Sequence, residues 1–276
     1  VANLVTKLSH KGKKGDTIHI PVPARGSASA KAANTQVTLS AATNSVVNVS
    51  IDKHYEYSKL IEDIAEVQAL ASMRKFYTDD AGYALAKQVD DDLVTLWEGL
   101  QSGTVGGSDA AAWEKAYIGS TGASFYTGNS SNAADITDAG IRALILKLDD
   151  ADVPMDNRSF IIPPIVANDM LGLSRFTEQQ FIGNGDAIAT GKIGMIYGAN
   201  VHISSNCPTT TTADTATDRV GCLLHKDALV LAEQVGVRSQ TQYKQEYLGD
   251  LFTSDTIYGV AELRNDAGVA FVVPGT

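Results

Sequence analysis

The residues able to do chemistry are few and poorly grouped along the chain. Five histidines, His10, His19, His54, His202 and His225, could ligate a metal or act as bases. None has a second histidine at i+4, and none lies near a cysteine at ligand spacing. His202, between Val201 and Ile203, points to the opposite face of a strand, as an exposed or packed histidine would. Cys207 and Cys222 fit neither a zinc knuckle nor a redox pair. Two buried free thiols and a reducing compartment are expected, rather than a bridge across a hairpin. Asp90, Asp91 and Asp92 follow one another, and on a helix such side chains diverge by about 100° each, so they cannot form an acid–base pair. Asp149, Asp150, Asp152 and Asp156 have the density of a calcium loop. Pro154 takes a ligand position, however, and the required glycine is missing, so a polar turn ending a helix explains them better.

Gly183-x-Gly185 and Gly191-Lys192 superficially resemble a phosphate loop. The Walker spacing needs glycine where Asp186 stands and Ser or Thr where Ile193 stands, so it fails twice. There is no Gly-x-Ser-x-Gly elbow. The sequons at Asn48, Asn129 and Asn157 are of the kind chance supplies. No reaction centre emerges: neither cofactor nor metal is expected, and the protein reads as not an enzyme.

The elements that would carry any function are better defined. With 276 residues, 44% hydrophobic and 20% charged, the chain can bury a sizeable core as one large domain or two smaller ones, and disorder is excluded. No apolar run approaches the roughly 18 residues of a membrane span. Val1 to Gly15 lacks the apolar core of a secretory signal, and the initial valine implies a leading segment removed or absent from the sequence. A net charge of −10 disfavours a surface devoted to nucleic acid.

That charge is unevenly spread. Val1–Lys14 holds four lysines (Lys7, Lys11, Lys13, Lys14) and no acid, whereas Asp52–Leu100 holds eleven acids and five bases. A solvated face is the plain reading; the sharper one is that a neutral-to-basic segment docks on an acidic one.

Asp16–Ile51 reads as a two-stranded arm. Thr17-Ile18-His19-Ile20-Pro21-Val22-Pro23 alternates, with prolines that belong on an edge. Ala24–Ala33 has only small, polar and basic residues, and Val37, Leu39, Val47, Val49 and Ile51 alternate on the way back. An isolated hairpin is marginal in water, so a neighbouring chain is expected to order it. Next, Ser58 is expected to cap a helix through Leu60, Ile61, Ile64, Val67 and Ala71. Thr78 is expected to cap a second helix running to Leu100, with Leu85, Val89, Leu93, Leu96 and Trp97 on its apolar face. Ser102–Gly107 looks like a subdomain boundary. A helix over about Asp135–Asp150 follows, then a buried strand Phe160–Ile162 stopped by Pro163-Pro164. A strand at Val201 and Ile203, a Thr-rich loop Pro208–Asp218 and a strand near Val220–Leu224 come next. Last is a hairpin of Ile257–Leu263 and Val269–Val273 turned at Asn265–Gly268. Without a βαβ rhythm the fold class is α+β.

Four segments carry a resemblance. They are Asp52–Ile64 (DKHYEYSKLIEDI), Tyr77–Leu93 (YTDDAGYALAKQVDDDL), Leu148–Pro164 (LDDADVPMDNRSFIIPP) and Gly191–Pro208 (GKIGMIYGANVHISSNCP). In this order they resemble the major capsid proteins of tailed bacteriophages with the Hong Kong 97-type fold, closest in flavour to those of short-tailed phages. The resemblance implies an N-terminal arm over 1–15 and an extended β-hairpin loop over 16–57. It also implies a peripheral domain over 58–105 and 245–276, built on a spine helix (Leu85, Val89, Leu93, Leu96, Trp97), and an axial domain over 106–244. It further implies a structural shell protein whose hexamers and pentamers close an icosahedral capsid around double-stranded DNA held by weak non-specific proximity. Scaffolding and portal proteins and a decoration protein would be partners, with assembly in the host cytoplasm, residence in the virion and no membrane. Pro21, Pro23, Arg25 and Lys31 would make inter-subunit contacts. The alternatives are an encapsulin-type compartment holding protein cargo, an enzyme with an unrecognised site, and a surface adhesin, for which no signal peptide speaks.

The charge pattern yields a test. Reversing Arg25 and Lys31 to Glu should raise the critical concentration for assembly, measured by light scattering. Unchanged assembly at every salt concentration would remove the basis for assigning them to a contact.

Overall fold

In the computed structural model of the protein, the described residues are 1–11, 14–23, 28, 30–37, 44–63, 73–100, 113, 116–122, 124–127, 132–173, 193–211 and 217–275. Among these, a long helix and two sheets form the body, with a separate hairpin on one sheet.

The first sheet has the order β1 (Thr6–Ser9), β11 (Leu229–Lys244), β12 (Gly249–Glu262), β4 (Lys53–Glu62). β1 runs parallel to β11, and the other neighbours are antiparallel. β4 corrects the expected helix at Ser58: Ser58, Leu60 and Ile61 continue a strand, paired with β12 from Lys53↔Tyr258 to Glu62↔Gly249. The period-two run Lys53, Tyr55, Tyr57 prevails because each of these side chains is half-buried while its neighbours face solvent. Ile64, Val67 and Ala71 lie outside the described residues.

Helix α1 spans Met73–Thr95, 23 residues and about 35 Å long. It therefore starts before Thr78, whose hydroxyl donates to the Arg74 carbonyl at 2.8 Å from inside the helix rather than capping it. Leu85, Leu93 and, in the following 3₁₀ turn Leu96–Gly99, Trp97 are buried, whereas Val89 and Leu96 are half-buried against the same core.

The second sheet is seven-stranded. Its path is β5 (Tyr117–Ile118), β13 (Gly268–Val273), β10 (Thr217–His225), β6 (Arg158–Ile162), β8 (Ala199–Ile203), β7 (Met195–Ile196). The seventh strand, β9 (Thr209–Thr211), pairs with β10 off this path, so part of the Thr-rich segment is strand rather than coreless loop. β6 is buried along its whole length. Pro163 and Pro164 end it and open helix α3 (Pro164–Leu171), where the missing N–H costs nothing. Helix α2 (Asp138–Asp150) is capped by Thr137, whose hydroxyl accepts from the Gly140 N–H, and it buries Ile141, Leu144 and Leu148.

The Asp-rich segment between α2 and β6 is organised by Arg158, 2% exposed, which donates to Asp149 and to the carbonyls of Val153 and Pro154 at 2.6–2.9 Å. Among the described residues no group of His, Cys, Asp or Glu is placed to hold a metal, and no helix is long and apolar enough to cross a membrane. The Gly183–Gly191 segment lies outside them. Cys207 and Cys222 are buried and free, and burial pushes the Cys207 thiol up to about 12.

The expected C-terminal hairpin does not form. After Glu262 the chain leaves the first sheet, passes a turn in which Arg264 is bound to Asp266, and enters the second sheet as β13. Asn265–Ala267 is a 3₁₀ turn between sheets rather than a reversal within one.

The arm is the hairpin β2 (Thr17–Pro23) and β3 (Asn44–Ser50), in the register Thr17↔Ser50 to Pro23↔Asn44. Its base is held by its own chain, contrary to expectation. Val49 and Ile51, flanked by Ile18 and Ile20, pack on Val230 and Ala232 of β11 and on Ile257 of β12. A Cβ on Gly259 would stand 2.2 Å from the Ser50 carbonyl oxygen. Gly259→Ala should therefore lift the base off the sheet, and hydrogen exchange at Val47–Ile51 should quicken while α1 stays protected. Unchanged exchange would mean the base is held elsewhere.

Candidate assembly surface

α1 is fastened to the first sheet by tyrosine–aspartate bonds. Tyr57 donates to Asp80 at 2.6 Å, and that bond pushes its hydroxyl up to about 12. Tyr258, 1% exposed, donates to Asp92 at 2.6 Å, and burial together with that carboxylate raises its hydroxyl further. Lys53 stands 3.6 Å from Asp92, and Arg74 binds Asp250. Asp90 faces elsewhere, accepting from the Ala2 N–H at 2.8 Å. Asp80, Asp90 and Asp92 of the acidic stretch Asp52–Leu100 thus find partners inside the chain. The N-terminal segment does meet acids, but through Ala2 and through Lys11, 3.5 Å from Glu233, while Lys7 donates to Asn3.

Among the described residues, three exposed surfaces lie on the arm, the first sheet and α1. On the outer face of the arm, Pro21 and Val46 are exposed opposite one another, and His19 bonds the sequon residue Asn48 at 2.6 Å. Pro23 closes β2 and Lys31 is exposed, whereas Arg25 lies outside the described residues. The second part is the far end of the first sheet, where Tyr243, Tyr247 and Leu248 are exposed beside Leu60 of β4. Sequence reading passed over this part because β11 beyond Val235 has no apolar alternation. The third is the exposed side of α1, with Phe76 and Tyr83.

A cavity of about 260 Å³ opens between β1, β11 and α1, lined by Leu8, Val89, Leu231, Val237 and Tyr258 with Lys7 and Glu233. The spine-helix residue Val89 faces it. Across the sheet, Arg238 grips Asp255 through two bonds of 2.7 Å, and His54 lies 3.2 Å from the same carboxylate.

No family model and no curated protein matches the sequence. Solved structures do, over nearly its whole length. The capsid of cyanophage P-SCSP1u superposes with a TM-score of 0.76 at 19% identity, covering 99% of this chain and 87% of that one. A chain of Mycobacterium phage Che8 gives 0.72 at 22%, covering 98% and 89%. The head of Helicobacter pylori bacteriophage KHP40 gives 0.71 at 13%, covering 98% and 88%. The chain has the Hong Kong 97-type capsid fold. The α+β class and the resemblance read from four short segments are both borne out at the level of architecture.

The Arg238–Asp255 pair sets an acid response. Arg238 holds the Asp255 carboxyl below the usual carboxylate range. The pair's contribution is present above the unfolded carboxylate value of about 4 and is lost as pH falls through the lower folded value. Arg238→Ala should narrow the stability difference between pH 7 and pH 3 in urea melts, and an unchanged difference would discount the pair.

Proposed function

We propose that the chain is the structural subunit of an icosahedral phage shell, its copies forming hexamers and pentamers around a packaged double-stranded genome. One observation carries the reading: end-to-end likeness to phage capsid chains, of which it spans 87–89% in the three compared. The exposed outer face of the arm agrees, since a two-stranded hairpin gains stability by lying on another copy. Pro21, Pro23, Arg25 and Lys31 are assigned to that contact.

The domains follow the sheets. We assign α1 with the four-stranded sheet to a peripheral part and the seven-stranded sheet with α2 and α3 to an axial part. The sequence boundaries at 106–244 and 245–276 then shift, because β11 joins the peripheral sheet and β13 the axial one. The arm is the extended loop. Scaffolding and portal proteins and a decoration protein are the partners this reading entails, with assembly in the host cytoplasm and residence in the virion. The net charge of −10 suits a wall that meets DNA only weakly, because tight phosphate contacts would hinder packaging and release. No turnover is assigned.

Electron microscopy of the purified, concentrated protein tests the reading. Closed particles with fivefold and sixfold capsomers are expected, and their contents separate the two shell readings: nucleic acid for a virion, a docked enzyme for a cargo compartment. A protein that stays monomeric at all concentrations, salts and pH values would overturn it.

A further inference from the structure

β11 is covered on its outer edge only at the start. β1 pairs with Val230–Glu233, and among the described residues no strand takes that edge beyond. From Val237 to Tyr243 every residue is exposed. Bare edges of this length are ordinarily guarded by proline, lysine or a bulge. Here the register shifts lie before Arg238, and Val237–Tyr243 contains neither proline nor lysine. Its single charge, Arg238, is matched within the sheet by Asp255.

We infer that this edge pairs with the same edge of a second copy, antiparallel, about a twofold axis through Gln240. The segment Val-Arg-Ser-Gln-Thr-Gln-Tyr is self-complementary in that register. Val237 falls opposite Tyr243, Arg238 opposite Gln242, Ser239 opposite Thr241, and Gln240 opposite itself. Apolar meets apolar, hydroxyl meets hydroxyl, amide meets amide or guanidinium, and no like charges face each other. The two four-stranded sheets become one continuous sheet.

Other edges of the chain are poorer occupants. β2 carries Pro21 and Pro23, which cannot donate to a ladder, and β4 carries Lys53, Glu56, Lys59 and Glu62 along its length. The inference rests on the shell reading and deepens it. A self-matched contact is twofold, whereas the contacts around a hexamer or pentamer run head to tail. The β11 edge would therefore join copies belonging to neighbouring capsomers.

The test uses Gln240→Cys in the full chain with a short thiol-specific cross-linker. Cys207 and Cys222 are buried and supply no background. In assembled particles most of the chain should shift to twice its mass, with wild type unshifted, and amides 237–243 of wild type should exchange slowly in particles. Particles that form without the 240–240 link, or whose amides 237–243 exchange fast, overturn the pairing and leave the shell reading standing. If Lys31→Cys combined with Gln240→Cys links 31 to 240 instead, the neighbour's arm occupies the edge and the pairing is wrong. If no shell forms under any condition but 240–240 dimers appear in solution, the pairing stands and the shell reading falls; with neither, both fall. Should Gln240→Cys not fold, the exchange measurement on wild type decides.

Discussion

A long helix lying across a sheet that is too polar to hold it by apolar contact alone is the constraint on which the molecule turns. The sheet face under α1 presents tyrosines, and the helix answers with aspartates: Tyr57 to Asp80 and Tyr258 to Asp92. Charge-assisted bonds of this kind contribute about 1.5–3 kcal/mol each and fix orientation as apolar packing does not. The Asp92 bond is the buried one, placed where Leu93 and Trp97 enter the main core, so helix, sheet and core share one reference point. The arm in turn sits on β11 and β12, and the N-terminal segment reaches α1 through Asp90.

This arrangement explains what could be read in advance and what could not. β6 was legible because an apolar run ended by two prolines is too short for a helix, and α2 because its apolar positions recur at helical spacing. The arm was legible from its alternation and its prolines. Ser58–Ile61 misled because leucine and isoleucine two and three residues after a capping serine fit a helix as well as a strand. The ladder to β12, some 200 residues away, decided the matter, and no local signal carries that information.

The outer half of β11, from Val237 to Tyr243, was missed for a related reason. Where both faces of a strand are solvated, no burial pattern is written into the sequence, and Arg, Ser, Gln and Thr read as loop. Of the proposed contact residues Pro21 and Lys31 lie exposed, and of the spine-helix residues Leu85, Leu93 and Trp97 serve the interior. The three consecutive aspartates did prove divergent: Asp90 and Asp92 bond different partners. The C-terminal reversal failed because a turn motif fixes a change of direction and says nothing about which sheet receives the chain.

The register shifts in β11 between Glu233 and Arg238 have a mechanical consequence. A bulge interrupts the ladder and raises local twist. These lie where β1 leaves one edge of the sheet and β4 has joined the other, so that only the row Ser9–Glu233–Tyr258–Lys53 spans all four strands. Stiffness therefore drops at one transverse line, between an inner half edged by β1 and an outer blade edged by β4. Bending is concentrated there, so a single amino-acid sequence can meet more than one local curvature by tilting the blade while its packed interior keeps one shape.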